Sequence, residues 1–177
     1  MPRKPRIWFP GAIYHIICRG NRRQDIFKDD KDRRVYLSIL KECCEKYPFL
    51  LYAYCLMTNH LHLQVETLDE EIAKIMKLIN MQYTMYFNKR YNLVGHLFQG
   101  RYHSELILTD AHNLLTSKYI HLNPVRAEIV DNPLDYPWSS YPVYAGKKNN
   151  PMVSTDKILG YFQKDSQLYR KYVEAEA

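Results

Sequence analysis

The strict alternation of apolar and polar side chains in residues 60–66 limits most strongly what this chain can fold into. Positions 61, 63 and 65 hold leucine or valine, whereas each even position holds histidine, glutamine or glutamate. Side chains of a β-strand point alternately to opposite faces of a sheet, so the pattern predicts a strand with one buried face and one polar face. His60 and His62 share the polar face, which is available for a site.

The flanking segments predict a small sheet with helices packed on it. Residues 13–19, 49–57 and 98–108 have the composition or alternation of strands, and residues 30–47 and 72–91 show apolar side chains at helical spacing. The resulting order is strand, helix, strand, strand, helix, strand. This order predicts an α+β, ferredoxin-like βαββαβ fold, in which an antiparallel four-stranded sheet carries its helices on one face.

The rest of the chain predicts C-terminal helices. A third helix begins at residue 109 or 110, and Pro124 must kink or end it, so that a second helical piece is expected at 125–130. Residues 131–153 are rich in Pro, Asn, Tyr and Gly, which predicts a loop. A last helix is expected within 155–173.

Length and composition are those of one globular domain with a short appendage. The chain has 177 residues, of which 46% are hydrophobic and 25% are charged, so it can bury a proper core and does not belong to the disordered class. We place the main domain at residues 1–146 and a C-terminal loop and helical extension at 147–177.

No targeting segment is evident, and we expect the protein in the cytoplasm. The sequence has no run of about 18 apolar residues, and its start, Met-Pro-Arg-Lys-Pro-Arg, lacks the apolar stretch of a secretory signal. The four cysteines form no C-x-x-C pair, which favours reduced thiols over disulfides.

The formal net charge of +6 arises entirely within the first 34 residues. These hold ten Lys or Arg and four Asp, whereas residues 35–177 hold fifteen charges of each sign. A basic segment beside a neutral body suggests a polyanionic partner, of which nucleic acid is the commonest. A solvated basic arm without a partner explains the charge equally well.

Two pairs of residues are best suited to carry chemistry. His60 and His62 lie on one strand face, close enough to share a metal ion, although two partly exposed histidines without a ligand are the plain alternative. In a helix, Tyr119 and Asn123 lie on one face, so that a phenol stands beside an amide oxygen suited to magnesium or manganese. Alternatively, Asn123 caps a helix that begins at Pro124, and Tyr119 is a core residue of an amphipathic helix.

Four motifs occur in order within about residues 7–146. They are Tyr14-His15-x-x-x-Arg19-Gly20-Asn21, Met57-Thr58-Asn59-His60-Leu61-His62-Leu63, Gly95-His96-Leu97-Phe98-Gln99-Gly100-Arg101-Tyr102 and Tyr119-Ile120-His121-Leu122-Asn123-Pro124-Val125-Arg126-Ala127. Together they resemble the REP-associated tyrosine transposases, which belong to the single-tyrosine HUH transposases of bacterial insertion sequences. The resemblance implies that the main domain is an HUH-type transposase domain.

The resemblance also implies roles for individual residues. His60 and His62 would bind a divalent metal ion, Mg²⁺ or Mn²⁺, and Asn123 would be the third ligand, where related transposases have Gln. Tyr119 would be the nucleophile in the cleavage and rejoining of single-stranded DNA, joined to a 5′-phosphate while a 3′-hydroxyl is released. The chemistry suits these residue types, because a dication polarises the scissile phosphate and a tyrosine ester retains the energy of the phosphodiester bond.

The expected partner is single-stranded or hairpin DNA, which would make the protein nucleoid-associated. A monomer is favoured over a homodimer. Two other classes of function stay open: a catalytically silent nucleic-acid-binding regulator on the same fold, which needs no metal ion, and a structural or zinc-binding protein without a nucleic-acid ligand. The candidate contacts to DNA phosphates, each with a solvated structural role as its alternative, are Arg19, Arg22, Arg23, Arg101 and Arg126.

Overall fold

The structure is a computed structural model that describes residues 7–175. Residues 1–6 hold three of the ten basic side chains of the N-terminal segment, and this part of the predicted charge excess lies outside the described residues. In the part of the chain that is described, no helix is long and apolar enough to cross a membrane.

Four strands form one antiparallel sheet. Their order across the sheet is β2-β3-β1-β4, and every neighbouring pair is antiparallel. The first and third strands are central, as expected for a βαββαβ chain, so the predicted ferredoxin-like fold is confirmed. The strands are β1 (Ile13–Arg19), β2 (Phe49–Leu56), β3 (His60–Thr67) and β4 (His103–Ile107).

Two helices cover the apolar face of the sheet. The first, α1 (Asp30–Lys46), connects β1 to β2, and the second, α2 (Ile72–Tyr91), connects β3 to β4. Leu61, Leu63 and Val65 of β3 are buried in one cluster with apolar side chains of both helices. Because burial of each such side chain contributes about 2 kcal/mol, the alternation in β3 determines which face of the strand turns inward.

A third helix lies on the opposite face of the sheet. Helix α3 (Asp110–Arg126) packs against β2 and β3, where Ile120 joins a small apolar cluster with Ala53 and Cys55 of β2. The two helices of the βαββαβ unit therefore occupy one face, as expected, and α3, the first of the expected C-terminal helices, lies on the other. The reason is that β2 is apolar on both of its faces, which gives α3 a surface to cover.

Three short helices complete the described chain and pack into the core. They are α4 (Tyr141–Tyr144), α5 (Asp156–Gly160) and α6 (Ser166–Glu174). Tyr169 and Val173 of α6 are fully buried in the same cluster as the sheet residues. The C-terminal extension therefore packs against the main domain, and the boundary at residue 146 stays a prediction.

Two predicted elements are shorter than expected. The fourth strand begins at His103 and not at residue 98, because Gly100 takes a left-handed backbone conformation with φ of 66° and Phe98 forms only an isolated bridge to Gly20. The last helix is interrupted between α5 and α6, where Gln163 and Lys164 both have positive φ. Positive φ is incompatible with a right-handed helix.

Helix α3 continues through Pro124, so the separate helix predicted at 125–130 is wrong, as is the capping role considered for Asn123. Thr109 caps this helix, and its side chain accepts a hydrogen bond from the His112 N–H at 3.2 Å. The proline removes one backbone donor and lies within one turn of the helix end, where Ala127 N–H donates to the Asn123 carbonyl at 3.0 Å. Only two residues of α3 follow Pro124, so the lost hydrogen bond affects the last turn of the helix alone.

A buried carboxylate joins the start of α1 to the end of α2. Asp32 is fully buried, although a carboxylate without partners is very unfavourable there. Its neighbour Asp29 caps α1 and also accepts two hydrogen bonds from Arg90. The hydrogen-bond donors to Asp32, at 2.5–3.0 Å, are the Lys28 N–H, the hydroxyls of Tyr86 and Tyr91 and the Arg90 guanidinium.

We expect Asp32→Ala to lower the free energy of unfolding by about 3 kcal/mol, because it leaves several partly buried donors, the charged Arg90 among them, without an acceptor. The exposed neighbour Asp30 provides the control, and Asp30→Ala should cost less than about 1 kcal/mol. Urea unfolding monitored by circular dichroism measures both losses. Equal losses in the two variants would show that the Asp32 cluster contributes no special stability.

Candidate active site

Two strand residues and two helix residues meet on the second face of the sheet. His60 and His62 of β3 lie beneath α3, which carries Tyr119 and Asn123 one turn apart. His60 Nε2 is 3.5 Å from Asn123 Oδ1, and the ring centroids of His62 and Tyr119 are 5.6 Å apart. The structure thus brings together the four residues that the sequence singled out from two distant segments.

The hydrogen bonds of His60 leave one ring nitrogen with a free lone pair. Asn59 Nδ2 donates to the Arg23 carbonyl at 3.4 Å, so that Asn59 Oδ1 is the acceptor for the His60 Nδ1–H at 2.7 Å. A neutral imidazole carries one proton, and burial favours this form by lowering the pKa of His60. His60 Nε2 therefore presents a lone pair to the amide oxygen of Asn123. The nitrogen and the oxygen both direct lone pairs into the space between them, and such a pair can bind a cation.

His62 is held by a second histidine, His15 of β1, which has no role in the sequence prediction. His62 Nδ1 lies 2.9 Å from His15 Nε2, and the two rings are stacked at an interplanar angle of 24°. Burial lowers the pKa of His62 far below its ordinary value and that of His15 to about 4. Both rings are therefore neutral near pH 7, and one donates a hydrogen bond to the other. The available signal in the sequence was a histidine between Tyr14 and Ile16 on a predicted strand.

Tyr119 reaches the protein surface, with 39% of its area exposed. The edge of its ring contacts His15 and His62, and the Arg126 guanidinium lies 5.1 Å from its ring centroid. The alternative of a core tyrosine is therefore wrong. Asn123, in contrast, is almost completely buried, and its position within α3 fixes the direction of its amide.

The chemistry of the residues fits a divalent cation only if Asn123 takes part. Among residues 7–175, no group of three or more His, Cys, Asp or Glu is arranged to hold a metal ion. Two imidazoles and one amide oxygen are all neutral ligands, which favour weaker metal binding than carboxylates or thiolates do. The two histidines and Asn123 are therefore the residues that can hold the ion.

The five candidate arginines lie around one end of the sheet and on the nearby end of α3. Arg19 lies opposite His60 in the β1–β3 register, and the Arg23 carbonyl binds Asn59. Arg126 contacts the Tyr119 ring. Arg22 and Arg101 are exposed. Their loops are neighbours, because the Gln99 N–H donates to the Arg19 carbonyl at the end of β1. Arg19 and Arg126 therefore border the site most directly, and Arg23 contributes its backbone carbonyl.

His121, between Tyr119 and Asn123, has a structural position that sequence reasoning missed. It is fully buried, with Nδ1 2.7 Å from the Tyr169 hydroxyl of α6 and Nε2 2.8 Å from the Ser140 hydroxyl. Burial lowers the pKa of His121 to about 3, so the ring is neutral and can donate with one nitrogen and accept with the other. His121 therefore anchors α3 to the C-terminal segment.

Replacing His121 with leucine keeps the approximate volume but removes both hydrogen bonds. We expect His121→Leu to lower the free energy of unfolding by about 2 kcal/mol, because buried hydroxyls lose a partner. His96 is exposed, and His96→Leu should change stability by less than about 0.5 kcal/mol. Chemical unfolding of both variants tests this, and an unchanged His121→Leu protein would contradict the anchoring role.

The fold and site define an α+β protein in which paired histidines of a ferredoxin-like sheet lie beneath a tyrosine of a crossing helix. The sequence matches the family model of IS200-like transposases over residues 9–123, and the chain belongs to this family. The resemblance found in the four motifs is thereby confirmed.

One curated relative agrees with the family assignment, and one solved structure shares the fold. A curated protein of Haemophilus influenzae, named for the REP-associated tyrosine transposases, is 31% identical over 118 residues. That alignment covers 60% of this chain, and it spans 66% of the length of the relative. A solved structure of a REP-associated tyrosine transposase bound to a REP hairpin superposes with a TM-score of 0.71 and 18% identity, over 87% of this chain and 91% of that one. This second match shows a shared fold.

Proposed function

We propose that this protein cleaves and rejoins single-stranded DNA at a hairpin, with Tyr119 as the nucleophile and a divalent metal ion, Mg²⁺ or Mn²⁺, at His60, His62 and Asn123. The observation that carries the proposal is the meeting of an accessible phenol with facing imidazole and amide ligands on one polar sheet face. Membership of a transposase family supports DNA strand transfer. The related structure, whose description names a REP hairpin, supports hairpin DNA as the substrate.

Tyr119 supplies the oxygen that forms the new bond. This oxygen attacks the scissile phosphorus and loses its proton, while the bond from phosphorus to the 3′-oxygen of the leaving strand breaks. The 3′-oxygen takes up a proton and departs as a hydroxyl, which leaves the 5′-phosphate joined to Tyr119. Attack by a 3′-hydroxyl on this ester reverses the step and rejoins the strands without a nucleotide cofactor, because the ester retains the bond energy.

The neighbouring residues orient the reacting groups. When bound, the metal ion supplies positive charge that polarises the phosphate. His60 turns its Nε2 lone pair into the site because Asn59 accepts from Nδ1. Asn123 lies one turn after Tyr119 on the same helix, so the ligand and the nucleophile keep a constant separation. Arg19 and Arg126 add positive charge for the DNA phosphates.

His15 acts as a positioning residue for His62. If His62 binds the ion through Nε2, its Nδ1 carries the proton and donates to His15 Nε2, which is 2.9 Å away. This bond fixes the tautomer of His62 and the plane of its ring.

Tyr119→Phe should abolish covalent attachment of DNA and leave hairpin binding intact, because only the attacking oxygen is removed. Tyr161 is similarly exposed, at 37%, and Tyr161→Phe is the matched control that keeps the adduct. The measurement is a denaturing gel of protein mixed with a hairpin-rich pool of 3′-labelled single-stranded DNA, in the presence of Mn²⁺, Mg²⁺ or chelator.

We expect the wild type and Tyr161→Phe to retain the label, and to do so only when the metal ion is present. An adduct that persists in Tyr119→Phe would refute the nucleophile. Hairpin binding in a native gel without any wild-type adduct would favour the catalytically silent regulator instead.

Metal binding can be tested without DNA. We expect isothermal titration with Mn²⁺ to give one site, and His60→Ala to weaken it by at least about tenfold because a direct ligand is lost. His15→Leu should weaken binding by about 10–100-fold, the usual cost of losing the partner that orients a histidine ligand.

Two further variants sharpen the metal measurement. His15→Gln retains an acceptor and should restore part of the affinity, which a purely structural role for His15 does not explain. His96→Ala, at an exposed histidine away from the sheet face, should bind like the wild type. No heat of binding in the wild type would contradict the metal site, and unchanged affinity in His15→Leu would contradict only the role of His15.

A further inference from the structure

An open trough lies beside Tyr119 on the half of the second sheet face that leads to β4. Helix α3 packs against β2 and β3, while His103 and Glu105 of β4 stay exposed on the same face. The trough contains a pocket of about 360 Å³ between α3 and strands β1 and β4. Its lining residues are His15, Ile17, Glu105, His112, Leu115, Thr116 and Tyr119.

The walls of this pocket combine ring side chains, apolar side chains and hydrogen-bonding groups. Leu115, although apolar, is 60% exposed, and Ile17 lies on the strand side. Glu105 lies directly opposite His15 in the β1–β4 register, and its Oε1 is 3.7 Å from His112 Nε2. A pocket with apolar walls and a few convergent polar groups is typical of a small-ligand or base-binding site.

Glu105 is the informative residue of the pocket. A carboxylate next to the nucleophile repels DNA phosphates, so it is unfavourable on this face unless it meets a different part of the substrate. Carboxylate oxygens accept hydrogen bonds, which unpaired bases donate from the exocyclic amino groups of adenine, cytosine and guanine and from the ring N–H of guanine and thymine. Thymine has no amino group, and its single N3–H lies between two carbonyl oxygens that repel a carboxylate.

The position of the pocket limits which base can enter. Tyr119 forms one of its walls, and the oxygen of Tyr119 must contact the scissile phosphorus in the proposed reaction. Each nucleotide next to that phosphate is bonded directly to it, so one of their two bases lies within reach of the pocket. In single-stranded DNA this base is free to leave the stack and to pack against side chains.

We infer that the pocket beside Tyr119 binds the base of one nucleotide that flanks the scissile phosphate, and that Glu105 selects a base with an exocyclic amino group over thymine. This inference rests on the proposed function. It makes Glu105 a specificity-determining residue for the strand that is cleaved.

The test uses the hairpin substrate that gives the covalent adduct with wild-type protein. The two nucleotides that flank the cleavage position are randomised, and the attached strands, the released strands and the uncleaved pool are sequenced. The wild type should prefer amino-bearing bases over thymine by about tenfold or more at one of the two positions, the usual range for a good base contact. Glu105→Gln should reduce this preference to about twofold, because the amide can also donate to thymine oxygens.

Glu45→Gln is the matched control, because it removes the same charge from an exposed residue of α1 on the other side of the sheet. It should keep the wild-type preference, and all three proteins should bind the intact hairpin equally. A wild-type adduct without base preference, or a preference that Glu105→Gln leaves unchanged, would overturn the pocket assignment alone. Failure of the wild type to form any adduct would overturn the proposed function and the pocket assignment with it.

Discussion

The packing of α3 on the polar face of the sheet is the constraint on which the site depends. Tyr119 and Asn123 approach the two histidines of β3 only because this helix lies above them. The apolar cluster around Ile120 attaches the helix to β2, and hydrophobic contact alone leaves its rotation loosely defined. His121 adds two directional hydrogen bonds to the C-terminal segment, which determine the side of α3 that faces the histidines.

The polar residues of this face are oriented by partners of their own. Asn59 accepts from His60, His15 is bonded to His62, and the Gln64 amide donates to Asn113 of α3 at 2.6–2.9 Å. Because these side chains are already ordered, a ligand that binds there loses little conformational entropy in fixing them. The same burial that orders the histidines also keeps them neutral, which is the form that binds metal ions.

The second sheet face is divided into a covered and an open half. Where β2 is apolar, α3 can cover it, and where β4 carries His103 and Glu105, the face stays accessible. Tyr119 lies at the boundary, half exposed and in contact with the buried histidines. This boundary places the proposed nucleophile where a long polymer can reach it, while the proposed ligand residues behind it are shielded from water.

Much of the fold followed from the sequence, because periodicity and turn residues are local properties. The alternation in β3, the acidic residue before α1 and the loops between strands determined the βαββαβ order, and the i,i+4 spacing of Tyr119 and Asn123 determined that they share a helix face. The wrong prediction at Pro124 also came from a rule about local sequence. Proline breaks helices on average, but Pro124 lies in the last turn of α3, so the helix has only two more residues to complete after it.

The sequence by itself determined which residues alternate, which elements form and which polar side chains share a strand or a helix. Only the tertiary structure decided that α3 crosses the sheet above His60 and His62, that His15 rather than a carboxylate supports His62, and that His121 is an anchor. The physical reason is that these contacts join residues far apart in the chain. They depend on how each helix is rotated and packed, which periodicity within one segment does not specify.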